Sequence, residues 1–155
     1  MTTAKLNRVL PRLKLPATSD QTIDLKDLRG QNIVLYFYPK DSTPGCTTEG
    51  QDFAENHAKF KRIKTVILGV SRDTVASHEK FRAKYNFPFD LLSDSDEKAC
   101  SIFDVIKEKN MYGRKLMGIE RSTFLIDATG KLRKEWRKVK VKGHVDDVLA
   151  AAKEL

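Results

Sequence analysis

Two stretches of the chain are almost free of polar positions: Ile33-Val34-Leu35-Tyr36-Phe37-Tyr38 and Thr65-Val66-Ile67-Leu68-Gly69-Val70. A third, Ser122-Thr123-Phe124-Leu125-Ile126, is nearly so. Strands covered on both faces read this way, because neither side meets water. All three are predicted as central strands. Thr22-Ile23-Asp24-Leu25 alternates, as a half-buried strand does. Asp90-Leu91-Leu92 reads as a short strand, and Leu10 to Leu15, apolar and basic around Pro11 and Pro16, as an edge segment.

Between these runs the apolar spacing turns helical. One helix is predicted from about Pro44 to Arg62, with Phe53, Ala54, His57, Ala58 and Phe60 along its stripe. A second opens at Ser71-Arg72-Asp73-Thr74 and runs to about Tyr85. A third spans Asp96 to about Phe103, with Ser93 and Asp96 as a capping box. Gly143 to Leu155 is amphipathic, with Val145, Val148, Leu149 and Ala152 on one side. Lys26 to Gly30 reads as one helical turn closed by glycine. Asn110 to Gly118 reads as a loop with two glycines. Asp127 to Gly130 reads as a turn from which Lys131 to Val141 returns as a hairpin partner. This order predicts an α/β fold, a mixed central β-sheet sandwiched between helices. In such sheets functional groups collect at the carboxyl ends of the strands.

A length of 155 residues suits one domain with a real core, and the apolar fraction of 40% is normal for a globular chain. No window is apolar enough to cross a membrane, and the first twenty residues lack the apolar stretch of a secretory signal. A formal charge of +8 favours anions or acidic partners. Two cysteines, Cys46 and Cys100, make neither a disulfide scaffold nor a zinc site. A reducing cytoplasm is the natural home for such a chain.

The chemistry gathers behind the first apolar run. Pro39 stops that strand, since proline has no N–H for the ladder. Asp41, Ser42, Thr43, Pro44 and Gly45 are turn and helix-start residues, and Cys46 follows in the first helical turn. A helix N-terminus and a nearby cation both favour a thiolate. Thr43 stands three residues before the thiol, where its hydroxyl can meet the thiolate or its substrate. Glu49 lies one turn after it on the same face and opposes ionisation unless it binds a cation. An arginine arriving from elsewhere is therefore expected. The alternative is a Cys46 that merely packs as a small hydrophobe.

Pro39-x-x-x-Thr43-x-x-Cys46 matches the active-site motif of peroxiredoxins. The longer YFYPKDSTPGCTTEG closely resembles the bacterioferritin comigratory protein (BCP/PrxQ) subfamily, as does GIERSTFLID, Gly118 to Asp127. The resemblance covers nearly the whole chain. It implies a thioredoxin-like fold, helices on both faces of the sheet, and reduction of hydrogen peroxide and alkyl hydroperoxides without metal or organic cofactor. By the same resemblance Cys46 is the nucleophile, Thr43 hydrogen-bonds thiolate and peroxide, Pro39 shields the thiolate, Arg121 supplies positive charge and Glu49 orients Arg121. It further suggests a monomer, with thioredoxin or another thiol as reductant. The chain departs from the subfamily in one respect. Position 51 is Gln where many members have a resolving cysteine, and the segment from Thr74 to Tyr85 contains none. Only Cys100 remains, at helical spacing with Ala99 and Phe103. We read it as a buried structural thiol and expect a one-cysteine cycle; a resolving role would require local unfolding.

His57, His78 and His144 show no ligand-like spacing and read as helix-surface or helix-packing residues. Trp136 reads as packing. The basic run from Lys131 to Lys142 fits a solvated sheet edge guarded by lysine. Met111, Tyr112 and Met117 either border the active-site mouth, where they would touch an organic hydroperoxide, or pack within their loop. Two other functions stay open. A thiol–disulfide oxidoreductase on the same fold needs a Cys-x-x-Cys pair, and Glu49 stands at the second position. A basic nucleic-acid-binding module needs steep salt dependence, and no specific nucleic-acid motif accompanies the charge.

Overall fold

The computed structural model describes residues 3–155. The elements run β1 (Lys14–Ala17), β2 (Gln21–Asp24), a 3-10 turn (Leu25–Leu28), β3 (Asn32–Phe37), α1 (Pro44–Glu55), α2 (His57–Arg62), β4 (Thr65–Ser71), α3 (Val75–Tyr85), β5 (Asp90–Ser93), α4 (Lys98–Phe103), β6 (Ile106–Met111), β7 (Arg114–Ile119), β8 (Ser122–Ile126), β9 (Leu132–Trp136) and α5 (His144–Ala152). The described residues form a mixed sheet in the order β2-β1-β5-β4-β3-β8-β9, with β6 and β7 as a separate pair.

β3 lies inside the sheet, parallel to β4 and antiparallel to β8. Its side chains alternate between two cores. Ile33, Leu35 and Phe37 join Phe103, Phe124 and Cys100 on one face. Val34, Tyr36 and Tyr38 join Phe53, Phe60, Phe81 and Cys46 on the other. Both faces need cover, and helices supply it, α4 on the first and α1, α2, α3 and α5 on the second. Tyr36 stacks on Phe53 at 4.6 Å between centroids, which presses α1 against β3.

Four expectations change. The helix expected from Pro44 to Arg62 breaks at Asn56, whose backbone sits at φ −100, ψ 4. Its side-chain amide donates to the Asp52 carbonyl, a local bond that competes with helix continuation. Ser93 and Asp96 do not cap α4: its N-cap is Glu97, which makes no side-chain cap bond, and Asp94 serves the first turn instead. The Asp94 carboxylate accepts from the N–H groups of Ala99 and Cys100, while Ser93 donates to the Asp73 carbonyl. The expected loop from Asn110 to Gly118 is instead mostly the β6–β7 hairpin, with Met111 opposite Arg114. Tyr112 and Gly113 turn it at φ +54 and +77, as a type I′ turn requires. The hairpin partner expected over Lys131 to Val141 is only β9, five residues long, at the sheet edge.

Candidate active site

Register explains how residues far apart in sequence meet. β8 runs antiparallel to β3, with Ser122 opposite Phe37. Arg121, just before β8, therefore reaches the carboxyl end of β3, where the chain turns into α1. That turn passes through half-buried Pro39 and buried Asp41, then Ser42 at φ +62. Thr43 is the N-cap of α1, and Pro44 takes a first-turn position that its missing N–H suits. Cys46 follows within the first turn, 2% exposed.

Arg121 joins the two acidic groups of the site. Its Nη2 lies 3.4 Å from Cys46 Sγ, and its Nη1–H donates to Glu49 Oε1 at 2.7 Å. A planar guanidinium does this readily, where an ammonium offers a single point of charge. Gly45 leaves room for it: a Cβ there would stand 3.1 Å from Arg121 Nη2. Glu49 is fully buried, and burial pushes its carboxyl up to about 7 although Arg121 pulls it down. Its Oε2 and the Tyr36 hydroxyl are buried without a hydrogen-bond partner among the described residues. The Thr43 hydroxyl donates to the Lys40 carbonyl at 2.8 Å, so it must rotate to donate to a thiolate or a peroxide.

Cys100 is elsewhere. It is fully buried in α4, and burial, then the neighbouring Asp94 carboxylate, push its thiol far above the ordinary range. It packs in the core on the opposite side of the sheet from Cys46.

Two features escaped the sequence reading. Lys109 on β6 donates to the Ile119 carbonyl, and burial followed by the Arg121 charge depresses its ammonium. It brings a second cation towards the thiol. His78 is not a simple packing residue: it is fully buried and bonded to Asp41. Donor atoms of Asp41, Asp73 and His78 lie within 4.8 Å of one another, a metal-capable grouping, but hydrogen bonds already tie the three together. Of the residues proposed to touch an organic peroxide, Tyr112 is fully exposed and Met117 is 58% exposed; the Met111 side chain lies outside the described residues. His144 is buried, with Nε2 2.7 Å from Thr123 Oγ1, and Trp136 packs edge-on against it. No helix among the described residues is long and apolar enough to cross a membrane.

A family model described as the AhpC/TSA family matches residues 6–135. Peroxiredoxin Bcp of Bacillus subtilis is 50% identical over 99% of this chain and 98% of the relative. Peroxiredoxin Bcp of Xanthomonas campestris is 55% identical over 91% of this chain and 88% of the relative. The structure of Xanthomonas campestris peroxiredoxin Q superposes with a TM-score of 0.89 at 52% identity, covering 96% of this chain and 98% of that one. A structure concerned with alkyl peroxide reduction by that organism's bacterioferritin comigratory protein gives 0.87 at 54%, covering 92% and 90%. The sheet order, the two helical layers and these matches together identify a thioredoxin-like fold, and the chain belongs to the AhpC/TSA family, in its Bcp/PrxQ branch of peroxiredoxins.

Proposed function

We propose that the chain is a single-domain thiol peroxidase that reduces hydrogen peroxide and alkyl hydroperoxides through Cys46. The observation that carries this reading is the Arg121 guanidinium, held by buried Glu49 and placed 3.4 Å from a thiol in the first turn of α1. The Cys46 thiolate attacks the terminal peroxide oxygen. An S–O bond forms, the O–O bond breaks, and the departing alkoxide takes a proton to leave as alcohol, or as water from hydrogen peroxide. Negative charge moves from sulfur to the leaving oxygen; Arg121 N–H groups are donors fixed near that path, and the Thr43 hydroxyl joins them by rotating away from the Lys40 carbonyl. Pro39 covers the thiolate from water. The product is Cys46 sulfenic acid.

The cycle then needs an external thiol. Cys100 belongs to the other core, and disulfide Cα atoms stand no more than about 7 Å apart, so pairing with Cys46 demands unfolding. One thiol of the reductant displaces water from the sulfenic acid to give a mixed disulfide. A second releases the Cys46 thiol and leaves the reductant oxidised. Thioredoxin or a related dithiol protein supplies this chemistry. Two buried free thiols support a reducing cytoplasm as the location, and the subfamily likeness supports a monomer. The test is steady-state peroxide consumption with a thiol reductant. We expect turnover by the wild-type protein and none by Cys46→Ser; equal rates would overturn the reading.

A further inference from the structure

The Asp41 carboxylate is buried in the turn between β3 and α1, and three side chains converge on it. The Tyr38 hydroxyl donates to Oδ1 at 2.6 Å, and the Ser77 hydroxyl donates to Oδ2 at 2.8 Å. His78 Nδ1 lies 2.8 Å from Oδ2 and 3.0 Å from Oδ1. Asp41 also uses its backbone N–H, donated to Asp73 Oδ2 at 2.9 Å. The other ring nitrogen of His78, Nε2, lies 2.9 Å from the Leu92 carbonyl. A carbonyl only accepts, so Nε2 carries a proton, and His78 spans from β5 to the thiol-bearing turn. Among the described residues no hydrogen bond joins Asp41 or His78 to Cys46, whose sulfur is bonded by Arg121, and the peroxide chemistry above uses neither.

The turn needs such an anchor. Ser42, next to Asp41, adopts φ +62, a conformation that L-residues keep only where their surroundings hold them. Thr43 follows at once, and Cys46 three residues later. A shift of Asp41 therefore moves both the hydroxyl and the sulfur that must face the peroxide.

We propose that Asp41 and His78 are a positioning pair for the peroxidatic site: α3, through His78 and Ser77, holds the Pro39–Thr43 turn so that Thr43 and Cys46 meet the peroxide in register with Arg121. This inference rests on the peroxidase reading of Cys46.

Two isologues of the imidazole test it. His78→Asn keeps a donor where Nδ1 stood and can still bind Asp41. His78→Gln places its donor further out, near the position of Nε2, and abandons Asp41. Both lose the ring, and Gln fills more of its space than Asn does, so a space-filling role predicts a loss in His78→Asn at least as large as in His78→Gln. The readout is the second-order rate of Cys46 oxidation by hydrogen peroxide, with thermal unfolding and iodoacetamide alkylation alongside. A misplacement of about 1 Å can cost up to about a hundredfold in rate. We expect His78→Gln to lose about tenfold or more and His78→Asn to recover most of that loss. Alkylation, which needs no oriented oxygen, falls less than peroxide reactivity in His78→Gln. Ser77→Ala removes one donor from a half-buried position and gives a loss of about threefold by the same reasoning.

A peroxide rate in folded His78→Asn that is no higher than in folded His78→Gln overturns the proposal. If neither folds, a wild-type rate in Ser77→Ala overturns it and a reduced one supports it. A wild-type protein inert to peroxide overturns the peroxidase reading itself, whereas an active wild type with indifferent variants overturns this inference alone.

Discussion

Glu49→Gln separates what the thiol site needs from what the folded chain would prefer. Glu49 has no solvent exposure, and burial raises its carboxyl from the ordinary 4.5 to about 7, with Arg121 opposing. Below pH 4.5 the carboxyl is protonated in both folded and unfolded chains and costs nothing. Between 4.5 and 7 the unfolded chain ionises while the folded one resists, so stability falls as pH rises. Above 7 the penalty is complete. At about 1.4 kcal/mol for each unit of pKa, a rise of roughly 2.5 amounts to about 3 kcal/mol. Glutamine fills the same space and does not titrate. The assay is urea unfolding of both proteins at pH 5 and pH 8. We expect the stability of Glu49→Gln relative to wild type to improve by about 2–3 kcal/mol between those pH values. With a urea slope of about 2 kcal/mol per molar, that moves the relative midpoint by about 1 M or slightly more. The charged tie to Arg121 forms only as Glu49 ionises, and its pull is already contained in the carboxyl's position at about 7, so losing it does not reverse the trend. A difference that is flat with pH, or that narrows towards pH 8, would refute the reasoning. The same variant should react more slowly with peroxide, because the guanidinium loses the partner that aims it.

Arg121→Lys keeps the charge and loses the planar fork; we expect a fall of about a hundredfold in the peroxide rate, read by stopped flow, from the loss of an aimed donor. Gly50→Ala puts a Cβ into the Phe87 ring and should cost about 1–3 kcal/mol in urea unfolding, since both sides of the contact are buried. Cys100→Ser should leave the product of stoichiometric peroxide unchanged, a gain of one oxygen in the intact mass; a wild-type loss of two hydrogens that disappears in Cys100→Ser would establish a disulfide instead.

The central strands were legible because burial on both faces leaves an unmistakable apolar run, and β3, β4 and β8 all fall where such runs lie. The thiol turn was legible because proline, turn residues and Cys46 are adjacent in sequence. Arg121 was different. Its composition and spacing mark it as an ordinary surface charge, and only the family resemblance singled it out before the β3–β8 register explained its reach. The Asp41–His78 pair had no local signal at all, because the partners lie on separate elements and each residue alone suits a turn or a helix. The β6–β7 hairpin was missed for another reason. Its residues are largely exposed, so no core face imposes the alternation by which a strand is recognised. Asp94 as the acceptor for the first turn of α4 was missed because the Ser93–Asp96 spacing mimics a capping box one residue away.

The central claim is that Cys46 takes the oxygen. One equivalent of hydrogen peroxide, followed by a sulfenic-acid trap such as dimedone and peptide mass mapping, tests it directly. The account predicts a single adduct on Cys46 in both the wild-type protein and Cys100→Ser, and none in Cys46→Ser. An adduct on Cys100, or an adduct that survives in Cys46→Ser, would contradict it.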